Sequence, residues 1–161
     1  MGEGSWDVAQ VCQNGHAITY VLRQGEVPSQ SHCEECGETT VTACGKCGAP
    51  IRGYYNVPGV IGGFDYSPPK FCHNCGAAHP WTERRIEVAK ELAAEMYSIA
   101  VEDRKLLADS IDDLVRDTPR TPVAGVRFKR LMSGAGRATV EAFRDILVDI
   151  VSETARKSMG I

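Results

Sequence analysis

The stretch CEECGETTVTACGKCG, Cys33–Gly48, contains two Cys-x-x-Cys pairs that seven residues separate. A third pair follows in CHNCG, Cys72–Gly76, and a Cys–His pair precedes them in CQNGH, Cys12–His16. In a Cys-x-x-Cys-Gly motif a tight turn directs both thiolates at one point, where a metal ion can bind them. The glycine can adopt the left-handed conformation that such a turn needs. The pattern therefore indicates that metal ions hold the first half of the chain together.

The number of candidate ligands matches two closed sites. Structural zinc takes four ligands in a tetrahedron and prefers thiolate and imidazole. Seven cysteines and one histidine supply one Cys₃His site and one Cys₄ site, with no cysteine left over. We therefore predict two structural Zn²⁺ ions, bound by Cys12, His16, Cys33, Cys36, Cys44, Cys47, Cys72 and Cys75. The other histidines exceed this set, and we expect His32, His73 and His79 to be exposed or to contact the ligands from outside.

The four pairs can be joined in three ways. Sequential pairing leaves gaps of 16 and 24 residues, 17–32 and 48–71, and each is long enough for a β-hairpin. Strands are predicted in these gaps at Ala17–Leu22 and Pro50–Tyr55. Cross-braced pairing, as in RING domains, joins the first pair to the third, and nested pairing closes 33–47 on itself. The seven-residue spacing favours sequential pairing, because the middle pairs of RING domains usually lie closer together.

The chain changes character near Trp81. All seven cysteines and all four histidines precede it, and large aliphatic residues are few there. Bound zinc can supply the stability that so small a core lacks, on the order of 10 kcal/mol or more per structural site. After Trp81, apolar residues recur at helical spacing. We therefore predict an α+β protein: small zinc-stabilised β-hairpin modules (tandem zinc ribbons) over 1–81, then an all-α bundle of three to four helices over 82–161.

The helical half is predicted in four stretches. The first covers about 83–99 with Thr82 as its N-cap, and the second covers about 102–117; the two could also form one long helix. Thr121 and Pro122 predict the N-cap and first residue of a helix that ends near Met132. The last stretch covers about 137–158. Trp81 is expected to pack the second zinc module against the first helix.

Two further segments could bind a partner. The loop GYYNVPGVIGGFDYSPP, Gly53–Pro69, is rich in aromatic residues, which form either the core of a ribbon or a recognition surface; these are Tyr54, Tyr55, Phe64 and Tyr66. Between Thr118 and Val140 there is no acidic residue and there are five basic ones. That run could meet phosphates, an acidic partner or the aspartates of the preceding helix.

The tandem knuckles look like a double zinc ribbon, with a sequential layout that is also similar to LIM domains. The segment FCHNCG…HPWTERR, followed by a helical tail, resembles an uncharacterised bacterial family, domain of unknown function 2321. The resemblance covers essentially the whole chain. It implies a bacterial, intracellular, zinc-binding protein, and it implies no activity.

The residues favour a non-enzymatic role. Two zinc ions with four protein ligands each leave no position for a substrate, and no Walker, G-x-S-x-G or H-E-x-x-H motif is present. A redox role for CGKC would leave Cys72 and Cys75 without partners. We expect an adaptor that binds another protein; the alternatives are a nucleic-acid-binding ribbon and a RING-like recruiting module of a conjugation or defence system. Without a signal peptide or an apolar run long enough to cross a bilayer, we expect a cytoplasmic location.

Overall fold

The computed structural model describes residues 3–25, 27–60, 62 and 65–161. The chain forms two compact units, Met1–Glu83 and Arg84–Ile161. The first contains short antiparallel strands and the second contains helices, so the predicted α+β class is confirmed. Among the described residues, no helix has the length and apolar character that crossing a bilayer requires.

The first unit contains two small antiparallel sheets. One pairs β1 with β5, and the other has the order β3-β2-β4. The strands are β1 Ser5–Val8, β2 Gln10–Cys12, β3 Ala17–Thr19, β4 Thr40–Val41 and β5 Arg52–Asn56. A short 3₁₀ turn, Leu22–Gln24, follows β3.

The strands predicted in the gaps 17–32 and 48–71 are present, but each pairs with a strand that lies outside its gap. β3 pairs with β2 across the CQNGH turn, and β5 pairs with β1, so that Trp6 lies opposite Tyr55. Each of these strands therefore pairs with a strand of the N-terminal segment and not within the gap that contains it. The cause is the N-terminal segment, which supplies both pairing partners.

The core of the first unit is small. It consists of Ala9, Val11, Ile51 and Trp81, with Tyr20, Val41 and Tyr66 packed against it. The Trp81 indole donates a hydrogen bond to the Pro69 carbonyl at 3.1 Å and stacks on the buried His79 ring. His79 is therefore buried. The sequence predicted that it is either exposed or in contact with the ligands from outside, and the exposed alternative is wrong. So few apolar side chains make a marginal core for about 80 residues.

The helical part contains five helices among the described residues, where the sequence predicts three or four. They are α1 Pro80–Ala94, α2 Val101–Val115, α3 Thr121–Met132, α4 Arg137–Leu147 and α5 Glu153–Met159. α3 packs against both α2 and α5. Phe128 of α3 and Phe143 of α4 meet edge to face at 5.8 Å in the buried interior.

Two helix boundaries differ from the prediction because of the residues beside them. α1 begins at Pro80, whose ring suits the first helical turn, and the Thr82 N–H donates to the His79 carbonyl. Thr82 is therefore inside the helix and is not its N-cap. α1 ends at Ala94 and α2 begins at Val101, so the two do not form one long helix.

The last predicted helix is divided. α4 ends at Leu147, and Ser152 caps α5 by accepting a hydrogen bond from the Ala155 N–H at 3.1 Å. The Ser152 N–H donates to the Leu114 carbonyl of α2, which holds the break in place. A serine followed by an acidic first turn is a typical N-cap signal. This N-cap explains why a separate fifth helix begins after Ser152.

Candidate metal centres and an aromatic cleft

The three Cys-x-x-Cys-Gly motifs fold into the same turn. In the first, the Cys33 N–H donates to the Glu38 carbonyl and the Gly37 N–H donates to the Cys33 carbonyl, both at 2.8 Å. The equivalent bonds form at Cys44 and Cys72 with lengths of 2.8 to 2.9 Å. The three glycines have φ values of +70° to +73°, a conformation that a side chain would strain.

The CQNGH motif forms a different turn with the same result. Gly15 has a φ of +96°, and its N–H donates to the Cys12 carbonyl at 2.9 Å. The Cys12 N–H donates to the His16 carbonyl at 2.9 Å. The chain thereby returns on itself, and the His16 imidazole lies beside the Cys12 sulfur.

The structure brings the eight predicted ligands into two groups. They are Cys12/His16/Cys33/Cys36 and Cys44/Cys47/Cys72/Cys75, and within each the four donor atoms lie within 4.8 Å of one another. This is the sequential pairing; the cross-braced and nested pairings are not found among the described residues. Neither group includes His32, His73 or His79.

The first group, Cys12/His16/Cys33/Cys36, has the dimensions of a tetrahedral site. The Cys12 and Cys36 sulfurs are 3.8 Å apart, and His16 Nδ1 lies 3.4 Å from Cys12 Sγ and 3.5 Å from Cys33 Sγ. Tetrahedral zinc with usual bond lengths would place two sulfurs about 3.8 Å apart, and sulfur and nitrogen about 3.6 Å apart. The residues present therefore fit a zinc ion that is bound through Nδ1.

The second group, Cys44/Cys47/Cys72/Cys75, is all thiol. Cys44 and Cys75 are 3.8 Å apart at sulfur, and Cys47 and Cys72 are 3.6 Å apart. A disulfide requires about 2.05 Å, so these are the edges of a tetrahedron and not covalent bonds. This group could hold one metal ion with four sulfur ligands.

Amide groups stabilise thiolates in both sites; in the second, backbone N–H groups of Cys47 and Lys46 lower the pKa of Cys44. The backbone N–H of Glu38 and then the Asn14 amide lower the pKa of Cys36 to about 6. The backbone N–H of Ala49 and then the Asn74 amide do the same for Cys47, also to about 6. The asparagine nitrogens lie 3.4 Å from Cys36 Sγ and 3.6 Å from Cys47 Sγ.

The two asparagines were missed by sequence reasoning, although a signal was present. Asn14 in CQNGH and Asn74 in CHNCG both stand two residues after a cysteine. Each donates across its site to a cysteine of the other pair, so each links the two motifs of one group. Such contacts to the ligands tune a metal site and fix its geometry.

The crowding of thiols favours a bound cation. A hydrogen bond from the Ala77 N–H lowers the pKa of Cys75, but burial and three neighbouring cysteines outweigh it and raise the pKa to about 11. Burial likewise raises the pKa of Cys12. Four thiolates this close repel one another unless a positive ion lies between them. The donor set is therefore suited to a metal ion.

A carboxylate lies behind the histidine ligand. Glu35 Oε2 is 3.7 Å from His16 Nε2, the ring nitrogen that faces away from the sulfurs. A carboxylate that accepts a hydrogen bond from a ligating imidazole orients the ring and selects its tautomer, and Glu35 lies just beyond hydrogen-bonding distance. Glu35 is the residue between the two cysteines of CEEC that faces this ring, and the sequence alone gave no reason to prefer it over Glu34.

A second feature of the first unit is an open cleft of about 310 Å³, here called the aromatic cleft. It is lined by Trp6, Tyr20, Gly53, Tyr54, Tyr55, Val57, Asp65 and Tyr66. Trp6 and Tyr55 are 44% and 42% exposed, which is high for such large rings. Of the predicted loop aromatics, Tyr54, Tyr55 and Tyr66 contribute to the cleft; Phe64 lies outside the described residues.

The rings of the cleft are held in place by contacts with one another and with the backbone. Trp6 and Tyr55 have centroids 4.8 Å apart, and Tyr20 and Tyr66 stack at 5.4 Å. The Tyr66 hydroxyl donates to the Arg52 carbonyl at 2.9 Å. Burial raises the pKa of Tyr66, so the phenol keeps its proton for this bond.

The basic run of the second unit is partly neutralised within that unit. Arg120 pairs with Asp113 at 3.1 Å, and Arg137 pairs with Glu141 at 2.8 Å. Arg127 donates to the Ser110 hydroxyl at 3.2 Å. Asp113 of α2 therefore neutralises part of this charge, as one of the sequence interpretations predicted.

No curated protein and no solved structure matches the chain. The family described as "Uncharacterized protein conserved in bacteria (DUF2321)" matches residues 5–159, which include all eight candidate ligands. The chain therefore belongs to this bacterial family, domain of unknown function 2321.

Proposed function

We propose that this protein is a non-enzymatic zinc-binding adaptor of the bacterial cytoplasm that binds another protein through the aromatic cleft. The observation that carries the proposal is the cleft itself, which presents exposed Trp6 and Tyr55 on paired strands of the unit that also contains the two candidate metal centres. Recognition surfaces are commonly held by a rigid scaffold, and metal ions would provide that rigidity here.

Zinc is the metal that the donor atoms favour. Both groups are rich in thiolate, one includes an imidazole nitrogen, and both have the edge lengths of a tetrahedron. Zinc in four-coordinate Cys₄ and Cys₃His sites is a typical structural ion of small domains. Each ion would offset the small core of the first unit, because binding free energy then adds to folding free energy.

The absence of turnover is part of the proposal. A catalytic zinc keeps one position for water or substrate, whereas four protein donors meet in each group. Zinc held by all four would polarise no substrate. We therefore expect no hydrolytic or redox activity that depends on Cys44, provided that the Cys44→Ser variant is compared at equal folded concentration.

The cleft resembles the centre of a protein interface more than the rest of the surface. Tyrosine and tryptophan are enriched at such centres, where they bury a large apolar area and keep a polar tip. Two of the tyrosine hydroxyl groups already have hydrogen-bond partners: Tyr66 donates to the Arg52 carbonyl, and Tyr54 donates to the Gly62 carbonyl. A partner would therefore meet ordered ring faces.

A nucleic-acid-binding ribbon is less favoured on charge. Residues 1–81 contain four Lys or Arg and seven Asp or Glu, which is a poor match for a phosphate backbone. The basic run lies in the other unit, and Arg120 and Arg137 there have carboxylate partners. The RING-like alternative depended on cross-braced ligands, and the sequential grouping removes that reason for it.

Affinity capture tests the proposal. Tagged full-length protein would be used to capture partners from lysate of its native cell, with and without nuclease. We expect one protein partner that survives nuclease, is lost with Tyr55→Ala and is kept with Tyr97→Ala. Tyr97 is a matched control because it is an exposed tyrosine, 76% accessible, in the second unit. A partner that is kept by Tyr55→Ala, or lost with nuclease, would contradict the proposal.

A further inference from the structure

We infer that the aromatic cleft binds a cationic side chain, lysine or arginine, of a basic segment of the partner. The inference rests on the proposed function and deepens it by naming the chemistry of the partner. It comes from the ring faces, the charge at the rim of the cleft and the charge of the surrounding unit.

The ring faces form a suitable surface for a cation. Trp6, Tyr20, Tyr55 and Tyr66 all line the cleft. Tyr20 stacks on Tyr66 with their planes 27° apart, and Trp6 and Tyr55 are inclined at 48°. A ring face carries partial negative charge and attracts an ammonium or guanidinium group within about 6 Å of its centroid. The apolar ring surfaces also suit the methylene stem of such a side chain.

A carboxylate lies at the rim. Among the described residues that line the cleft, Asp65 is the charged one, and it is exposed. An ammonium group seated among the rings would meet this carboxylate at the solvent side. A wholly apolar ligand would gain nothing from Asp65, so the carboxylate distinguishes the two kinds of occupant.

The charge of the unit favours a basic partner as well. Residues 1–81 have a formal charge of −3, from four basic and seven acidic side chains. Seven thiolates and two zinc ions would contribute a further −3 and bring the total to −6. A field of this sign attracts basic segments and repels acidic ones.

One cation of the chain already contacts the cleft. The Arg52 guanidinium lies 5.0 Å from the centroid of the Trp6 ring. This contact shows that the indole face accepts a cation, and its positive charge also opposes a second one. Replacing Arg52 by a neutral residue should therefore strengthen the binding of a cationic ligand, whereas Asp65→Asn should weaken it.

The test uses two matched peptides and the zinc-loaded full chain. The probes are acetyl-Gly-Ser-Lys-Ser-Gly-amide and the same peptide with norleucine, which keeps the stem and lacks the charge. The two tryptophan indole N–H resonances would be followed by NMR. Trp6 reports on the cleft, and Trp81, which is buried and bonded to Pro69, is the internal control.

We expect the lysine peptide to shift the Trp6 resonance and leave Trp81 unchanged, with norleucine binding at least about 5-fold more weakly. Tyr55→Ala should weaken binding of the lysine peptide roughly 2- to 30-fold, which is the range of a cation–π contact. Asp65→Asn should weaken it, Arg52→Gln should strengthen it, and Tyr97→Ala should leave it unchanged. An arginine peptide should behave like the lysine peptide.

The contradicting results separate this inference from the proposed function. If norleucine binds as well as lysine, and Asp65→Asn and Arg52→Gln have no effect, the cation inference is wrong while an apolar protein partner remains. If neither peptide shifts Trp6 but Tyr55→Ala still abolishes capture, the inference again fails alone. If a single-stranded oligonucleotide shifts Trp6 and the lysine peptide does not, both the inference and the protein-adaptor proposal are wrong.

Discussion

Gly53 is the position where one added methyl group should test the link between the sheet and the cleft. It is buried in β5 and lines the aromatic cleft. A Cβ atom there would lie 2.1 Å from the Tyr20 carbonyl oxygen and 3.0 Å from the Val8 carbonyl carbon. Both neighbours are backbone, so the strand itself must move. The same Tyr20 oxygen accepts a hydrogen bond from the Tyr54 N–H at 2.8 Å.

The expected cost follows from these contacts. Forcing a methyl group into a packed site costs about 1–3 kcal/mol, and losing the Tyr54–Tyr20 hydrogen bond adds about 1 kcal/mol. We therefore expect Gly53→Ala to lower the free energy of unfolding of the first unit by about 2–4 kcal/mol. For a unit of this size that corresponds to a decrease in Tm of roughly 10–30 °C.

The assay can isolate the first unit. Both tryptophans, Trp6 and Trp81, lie in it, so a thermal scan of tryptophan fluorescence reports its unfolding. Gly45→Ala is the matched control, because a Cβ there would meet nothing within 4 Å and the backbone is not left-handed. Zinc content below the transition should be the same in both variants. Equal melting of Gly53→Ala and Gly45→Ala would refute the packing argument.

Three further predictions concern the metal and the helices. Chelation of zinc should unfold the first unit by tryptophan fluorescence and leave far-UV circular dichroism largely helical; loss of both signals together would contradict independent units. The pKa of Cys36 and Cys47 is about 6 in the fold, below the usual thiol pKa of about 8.5. Their thiolates therefore stabilise the fold fully above about pH 8.5, and this stabilisation is lost as the pH falls through about 6. Metal release on acidification, followed with a zinc-binding dye, should therefore occur at higher pH in Asn74→Ala than in the unaltered chain, because the Asn74 amide stabilises the Cys47 thiolate; an unchanged release curve would show that the amide has no such role. Phe143→Ala should cost about 3–5 kcal/mol in the helical transition without releasing zinc, and a loss of zinc would contradict this.

The ligand set could be predicted because its signal is local. Three copies of one turn, each closed by a left-handed glycine such as Gly37, are written in consecutive residues. The ligand count and the gap lengths then favoured sequential pairing, which the geometry reproduces. The apolar faces of the helices could also be predicted from the sequence, since Leu107, Ile111 and Leu114 are all buried at the predicted spacing.

The cleft could not be predicted, because it depends on pairing between distant segments. β1 and β5 are more than forty residues apart, and only their pairing places Trp6 against Tyr55. The sequence pattern indicated aromatic residues near Gly53 but gave no partner for them. The break at Ser152 was missed because apolar spacing continues through it, whereas the N-cap bond and the contact to Leu114 decide the boundary.

We propose that two closed zinc sites stabilise the fold of the first unit. X-ray absorption at the zinc edge of the purified full chain is the measurement that tests this proposal. The two groups contain seven sulfurs and one imidazole nitrogen. We expect two zinc ions per chain and an average shell of three and a half sulfurs near 2.3 Å and half a nitrogen near 2.0–2.1 Å, with no oxygen. A single ion per chain, iron in place of zinc, or an oxygen ligand in the first shell would contradict it.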